Sequence, residues 1–304
     1  MQAAVYTKGK SGKVVEMKDL EQPVAKSNEV VVRVRAASIN PLDWRMKAER
    51  PGVDAAGEVV AVGEAVTRFK PGEAVFGLCK GAFAEFACAA ESKLAPKPES
   101  MSFEQAAAVP IAGLTALQGL RDKGRLQPGQ KVLINGAAGG IGTFAVQIAK
   151  SFGAHVTGVC STKNVELVRS LGADRVIDYT CDDFTQDSER YDLVLDNVGN
   201  RTLSEMRRVL SPRGKCVMAG APKELWRVLS RVLKAFAWSP FMKQKFTFFI
   251  AKMNRDDLTT LCGLIQAGKL APAIDRRYPL AETAAAIGYV ETGHARAKVV
   301  ITLR

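Results

Sequence analysis

The residues with the clearest chemical meaning stand seven in a row: Gly136-Ala137-Ala138-Gly139-Gly140-Ile141-Gly142. They follow a strand-like run, Lys131 to Asn135, and open a helix-like run, Ile141 to Phe152. In that setting the first glycine permits a tight turn, the middle ones let backbone approach a ligand, and the last lets helix and strand pack closely. The N-terminal end of the helix then suits a pyrophosphate. A plain strand-to-helix turn is the competing reading. The next strand, His155 to Cys160, is followed by Ser161-Thr162-Lys163-Asn164. A site for NAD usually has an acid here to hold the ribose hydroxyls. Here Ser161 and Thr162 offer hydroxyl donors, and Lys163 is a cation suited to a 2′-phosphate. This points to NADPH. Lys163 as a solvated residue at a helix start is the alternative.

These loops need elements to hold them. From Lys131 strand and helix alternate: strands at 131–135, 155–160, 175–178, 191–196 and 215–219, with helices at 141–152 and 164–171 between the first of them. That order implies right-handed crossovers and a parallel sheet. Before it, the first ninety residues read as short strands between Gly/Pro turns, at 14–17, 29–35, 57–63, 74–77 and 82–87. An Ala-rich helix over Phe103 to Leu120, interrupted by Pro110 and Gly113, joins the two patterns. Ala297 to Leu303 is a lone strand after a helix and is expected to return to the first domain. The fold class is therefore α/β, a β-rich domain with a doubly wound parallel-sheet domain inserted. The boundaries are 1–111 for the first part of the β-rich domain, 112–271 for the nucleotide-binding domain and 272–304 for the return.

Composition narrows the class. The chain has 304 residues, 47% of them hydrophobic, which suits a globular protein of two domains. Its opening residues lack the basic region and apolar run of a signal peptide, and its apolar stretches are broken before membrane-spanning length. Six cysteines are scattered without a CxxC pair, and neither histidine sits at ligand spacing from them. Reduced thiols in a cytoplasmic protein with no bound metal are expected. The net charge is +12. Half of it falls between Ala221 and Lys252, where seven basic residues meet one acid, Glu224.

The longer motifs carry a resemblance. Ser38-Ile39-Asn40-Pro41-Leu42-Asp43-Trp44, Pro51-Gly52-Val53-Asp54-Ala55-Ala56-Gly57 and Ala108-Val109-Pro110-Ile111-Ala112-Gly113-Leu114-Thr115-Ala116 join the 136–142 loop. Leu171-Gly172-Ala173-Asp174, Val176-Ile177-Asp178-Tyr179, Asp196-Asn197-Val198-Gly199 and Gly293 to Val300 complete the set. Together they resemble the medium-chain dehydrogenase/reductase superfamily, in its zinc-independent quinone oxidoreductase branch, and within it the chloroplast-envelope quinone oxidoreductase and alkenal/enone reductase group. The resemblance implies a GroES-like substrate domain, a Rossmann domain and a cleft between them. It implies Asn40 near the nicotinamide ribose and Thr115 near the nicotinamide-side phosphate. Gly139, Gly140 and Ile141 would touch the pyrophosphate, and Ser161, Lys163 and Tyr179 the adenosine phosphate. Asn197, Val198 and the Gly220-Ala221 turn would border the nicotinamide. Asp43, Asp54 and Trp44 are expected to pack or shape turns. Zinc-dependent relatives carry a Cys and a His where this chain has Asn40 to Asp43 and Pro51 to Asp54, so no metal is expected. Three departures stand out. Only Arg45 to Arg50 separate the Asp-Trp and Pro-Gly-x-Asp motifs, the stretch between Gly77 and Gly81 is short, and Ala297 replaces a usual glycine. Both shortened segments edge the substrate cleft in the family, which leaves an unusually open pocket or missing loops as the two readings.

The expected reaction is NADPH-dependent hydride transfer to an α,β-unsaturated carbonyl or a quinone, with hydrogen-bond donors on the developing oxyanion. The substrate is a small electrophile. No side chain is assigned as general acid; Tyr278 and Tyr289 lie in the return without a spacing that places them. The alternative is a non-catalytic NADPH-binding redox sensor or a module at a membrane surface. Leu225, Leu229, Val232, Leu233 and Phe236 share one helical face, with Arg227, Arg231 and Lys234 largely off it. A helix over the cleft, followed by an edge strand at 246–250 that pairs in a homodimer, is the main reading of 221–252, and peripheral membrane contact the second. No nucleic-acid reader motif accompanies the charge.

Overall fold

The computed structural model describes residues 1–9, 12–45, 48–219 and 243–303. They form two units, one of Met1–Leu114, Met253–Gln266 and Pro272–Arg304, the other of Thr115–Lys252 and Ala267–Ala271. Gly220, Ala221 and the helical face from Leu225 to Phe236 lie outside the described residues.

The first unit is built on a seven-stranded sheet. β3 (Glu29–Ser38) is its centre and pairs with β4 (Asp54–Val62), β6 (Phe86–Ala90) and β15 (Lys298–Thr302). β4 carries β5 (Ala74–Leu78) and then β7 (Leu94–Pro96), and β15 carries β14 (Ile274–Pro279). A separate antiparallel pair joins β1 (Gln2–Gly9) to β2 (Gly12–Asp19). The β-branched run in β3 has a direct cause: Val30, Val32 and Val34 are fully buried beside Phe69, Phe83 and Ile301. The C-terminal strand returns as expected, with Val300 opposite Ser38. The stretch after β5 is tied to the Pro51–Asp54 motif. Cys79 N donates to Val53 O at 2.8 Å, and Ala82 N to Gly52 O at 2.9 Å. Those bonds explain why 82–84 is not the regular strand its alternation suggests; the strand begins at Phe86.

The second unit is a six-stranded parallel sheet. Its strands are β8 (Lys131–Asn135), β9 (His155–Cys160), β10 (Arg175–Asp178), β11 (Tyr191–Asp196), β12 (Leu210–Met218) and β13 (Lys245–Phe248). The spatial order is β10-β9-β8-β11-β12-β13. Relative to the first strand this is 3-2-1-4-5-6, the doubly wound nucleotide-binding order. The middles of its central strands are apolar because helices cover both faces of such sheets: Leu133, Val159, Val194 and Cys216 are buried in one core with Tyr191 and Met206. The chain reverses direction across the sheet between β8 and β11, and the 136–142 loop leaves β8 at that point.

Eight helices fall among the described residues: α1 (Pro41–Arg45), α2 (Phe103–Ala108), α3 (Pro110–Gln118), α4 (Gly140–Ser151), α5 (Val165–Ser170), α6 (Leu203–Val209), α7 (Arg255–Gln266) and α8 (Thr283–Glu291). The single helix expected over 103–120 is broken at Val109, because Pro110 lacks an N–H and its ring opposes continuation of the preceding turn. The units part at Leu114 rather than at residue 111, and α7 belongs to the first unit rather than to the expected 112–271 block. Packing explains the second difference. Leu261 of α7 is buried against Gly113, where an added Cβ would come within 2.9 Å of its Cδ1. Lys93 Nζ also donates to Met253 O at 2.5 Å.

Ala297 has φ +58°, a conformation that favours glycine. Ala297→Gly is therefore expected to stabilise the first unit by about 1 kcal/mol and raise its thermal midpoint by roughly 2 °C. Calorimetry checks this; an equal or lower midpoint refutes it.

Candidate cofactor-binding site

The second unit gathers most of the residues singled out by sequence. Gly136 turns at φ +80°, and a Cβ there would stand 2.7 Å from Val198 Cγ2. A Cβ on Gly142 would collide with the Gly136 carbonyl, so the first turn of α4 lies directly on the loop. Gly139 differs. Its φ of −82° suits any residue, and a Cβ there would meet only Gly136 O, at 3.4 Å. Nothing among the described residues demands a glycine at 139, and they leave space above it for something that approaches the backbone. Gly139 is also the N-cap of α4, and with no side chain it leaves the leading N–H groups of Gly140 and Ile141 uncapped.

Beside this loop, β11 ends in Asp196, which is fully buried. Its Oδ1 accepts from Asn135 Nδ2 at 2.9 Å and from the backbone of Val198 and Gly199 at 3.2 and 2.9 Å. Asn135 Nδ2 also donates to Asn200 Oδ1 at 3.0 Å. Asn197 is held by its backbone, whose N donates to Asn135 O, yet its side-chain Nδ2 and Oδ1 are both out of water and without a partner. An amide in that state has unmet hydrogen-bonding capacity that a ligand could satisfy. Asn135 and Asp196, which shape the 197–199 turn, were not singled out as site residues. Their signal was readable in Asp196-Asn197-Val198-Gly199, where an Asp side chain reaches two and three residues ahead.

At the far side of the sheet, β9 and β10 end in register, Cys160 opposite Asp178. Ser161 opens a short turn in which Lys163 is exposed. Tyr179 N is bonded to Cys160 O at 2.9 Å, and its ring is largely exposed. An acid does stand nearby, on β10 rather than β9. Asp178 Oδ1 accepts from Thr180 N at 3.0 Å and Thr180 Oγ1 at 2.8 Å, and Thr180 Oγ1 lies 2.8 Å from Thr162 Oγ1. These donors, Thr162 first, hold the Asp178 carboxyl below the usual carboxylate range. It is spent on clamping the two turns together. Thr115, in α3, is buried.

The first unit holds Asn40 in a buried polar cluster. Asn40 Nδ2 donates to Asp54 Oδ2 at 2.9 Å and Ser38 O at 3.3 Å, and Asn40 Oδ1 accepts from Lys298 Nζ at 2.7 Å. Both amide hydrogens are thus committed, which leaves one lone pair on Oδ1. Lys298 Nζ is 3.7 Å from Asp54 Oδ2, and both side chains are almost wholly buried. Asp54 also accepts from Ile111 N at the start of α3. Asp43 accepts from Asn40 N at 2.7 Å and Gly52 N at 3.2 Å. Burial raises the Asp54 carboxyl and lowers the Lys298 ammonium, and it pushes Asp43 up to about 7. Tyr289, considered as an acid, donates its hydroxyl to Asp275 Oδ2 at 2.7 Å. Among the described residues no three His, Cys, Asp or Glu side chains are placed to share a metal ion. No described helix is long and apolar enough to cross a membrane.

A GroES-like unit and a parallel sheet in 3-2-1-4-5-6 order, with a glycine loop at its reversal point, define a dehydrogenase of the two-domain type. Residues 26–99 match the alcohol dehydrogenase GroES-like domain, and residues 171–301 match a family described as zinc-binding dehydrogenase. A chloroplast envelope quinone oxidoreductase homolog of Arabidopsis thaliana is 33% identical, over 92% of this chain and 91% of its own. An NADPH-dependent alkenal/one oxidoreductase of the same plant is 32% identical, over 99% of this chain and 79% of its own. The solved quinone oxidoreductase of Coxiella burnetii superposes with a TM-score of 0.87 at 28% identity, over 100% of this chain and 99% of that one. The chain belongs to the medium-chain dehydrogenase/reductase family, in the branch of the quinone and alkenal/one oxidoreductases, and is an oxidoreductase.

The raised Asp43 carboxyl has a sign that can be tested. From about pH 4 to pH 7 the folded chain keeps a proton that an unfolded aspartate has lost, so this group's contribution to stability falls as pH rises, by at most about 1.4 kcal/mol per pH unit. The stability advantage of the wild type over Asp43→Asn is expected to shrink across that window. Urea unfolding midpoints of both proteins measure it, and a constant difference refutes the shift.

Proposed function

We propose that this chain is an NADPH-dependent reductase that passes hydride to α,β-unsaturated carbonyls or quinones without a metal. The observation that carries the reading is the empty space over Gly139, flanked by uncapped N–H groups of α4 and the unpartnered amide of Asn197. A pyrophosphate is the anion such a loop accepts. Gly139, Gly140 and Ile141 would hold it, and Asn197 and Val198 would border the nicotinamide. Ser161 and Lys163 would take the 2′-phosphate with Tyr179 beside it, and the acid at the end of the next strand, Asp178, is engaged by Thr180 N and Oγ1. Thr115 and Asn40 are assigned to the nicotinamide-side phosphate and ribose, Asn40 through its remaining Oδ1 lone pair.

When bound, the cofactor supplies a hydride at its nicotinamide ring. This chain's part is to orient that ring through the Asn197 amide and to fix the phosphates so that the reacting carbon is placed rather than searched for. A metal at Asn40 and Asp54 is disfavoured by charge, because the Lys298 ammonium already lies 2.7 Å from Asn40 Oδ1. None of the six cysteines forms a disulfide and five are buried, which suits a reducing compartment such as the cytoplasm. β13 is the outermost strand of the described sheet, and pairing of two copies along it would give a homodimer.

Purified protein is expected to consume NADPH, followed by near-ultraviolet absorbance, with a short alkenal, a longer enone or a naphthoquinone, and to leave a simple alcohol with NADP⁺ unchanged. Binding of NADPH without turnover of any member of this panel would move the reading to a redox sensor. Gly139→Ala is expected to fold with equal or slightly greater stability, because its backbone is unstrained, yet to bind NADPH at least ~10-fold more weakly, a loss of about 1.4 kcal/mol. Unchanged affinity would remove the pyrophosphate from this loop.

A further inference from the structure

Asn164 is the last residue of the turn after β9, and 8% of its surface is exposed. Its backbone N donates to Ser161 O at 2.8 Å, and its side-chain Nδ2 donates to Ser161 Oγ at 3.1 Å. Its Oδ1 is out of water and has no partner. A buried carbonyl without a donor is a cost, and the fold accepts it here. In this orientation the amide has a consequence for Ser161. With a lone pair of its oxygen already taken by the amide, the hydroxyl keeps its hydrogen for an outside acceptor. No described acceptor takes it. The bonds of the neighbouring acid, Asp178, run instead to its own turn, from Thr180 N and Oγ1.

We propose that Asn164 is a positioning residue that turns the Ser161 hydroxyl into a dedicated donor, and so sets the preference for a ribose 2′-phosphate over a free 2′-hydroxyl. This rests on the assignment of Ser161 and Lys163 to the adenosine phosphate. A phosphate oxygen can only accept, whereas a ribose hydroxyl is satisfied by an acceptor as well as a donor. Fixing Ser161 as donor favours the first. Asn164→Asp reverses the device, since a carboxylate in the same place takes the Ser161 hydrogen for itself and adds a like charge.

The test measures affinities of the full chain for adenosine 2′,5′-bisphosphate and for adenosine 5′-monophosphate by calorimetry, so it does not depend on turnover. The wild type is expected to prefer the bisphosphate. Asn164→Asp is expected to cut that preference at least ~10-fold, and Asn164→Leu, which only frees the hydroxyl, about threefold, with affinity for the monophosphate nearly constant. On a Ser161→Ala background, Asn164→Leu should have no further effect. An intact preference in both variants overturns the inference while the NADPH assignment stands. Equal loss of both ligands in both variants assigns Asn164 to the shape of the turn and also overturns it. A wild type without preference removes the NADPH assignment, and the inference with it.

Discussion

One buried ammonium holds the first unit together. Lys298 opens the last strand, and its Nζ reaches Ile39 O, Asn40 Oδ1 and the carboxylate of Asp54. Those groups lie at the end of β3 and the start of β4, and Asp54 in turn holds the first turn of α3 through Ile111 N. Four elements distant in sequence meet at one charge. The desolvation penalty for such a cluster is several kcal/mol per ion, and it is offset only where hydrogen bonds fill the remaining valences. Here they do: Asp54 takes Ser38, Asn40 and Ile111, and Asp43 takes two backbone N–H groups. Break the cation and two carboxylates remain in apolar surroundings. The placement of Asn40, of the 51–54 turn and of the C-terminal strand all depend on it.

The second unit depends on contact rather than charge. Gly142 presses α4 onto the Gly136 carbonyl, and Gly136 gives way to Val198 on the neighbouring turn. These two glycines bring the helix end and the β11 turn to the same end of the sheet, where the strand order reverses. Gly139 takes no part in that packing. The three glycines look alike in sequence but answer to different constraints. Two are required by the protein's own atoms, and the third is not required by any described neighbour.

Much of this was legible in the residues. The strands at 131–135, 155–160, 175–178 and 191–196 stand as the apolar runs mark them, because both faces of a parallel sheet are covered and no alternation confuses the signal. Local rules failed where tertiary bonds decide. Ala82 to Ala84 alternate like a strand but are claimed by the 51–53 turn and by Ala4. Helix α7 went unread as part of the first unit, since its allegiance comes from Leu261 meeting Gly113 across a long sequence separation. The acid near the adenosine end was missed for the same reason. Ser161 directly follows β9 in sequence, while Asp178 stands at the end of the next strand and reaches the same place only through sheet register.

At the strand ends of the second unit, Asx side chains of one type divide into those whose bonds close within the protein and those left open. Asp196, Asn135 and Asp178 are polar residues near the strand ends whose bonds close within the protein. Asn197 and Asn164 are the same kind of residue in the same neighbourhood, but each keeps a buried group unpaired. A fold that satisfies its Asx side chains at one turn and leaves them open at the next is paying a cost that internal packing does not return. In Asn197 neither atom of the side-chain amide is paired, although its backbone N is bonded to Asn135 O. In Asn164 the open carbonyl is the counterpart of an amide committed to Ser161, so the unmet bond is the consequence of a chosen orientation. The two orphans thus have different origins, Asn197 open at both atoms of its amide and Asn164 only at the atom that its bond to Ser161 leaves over.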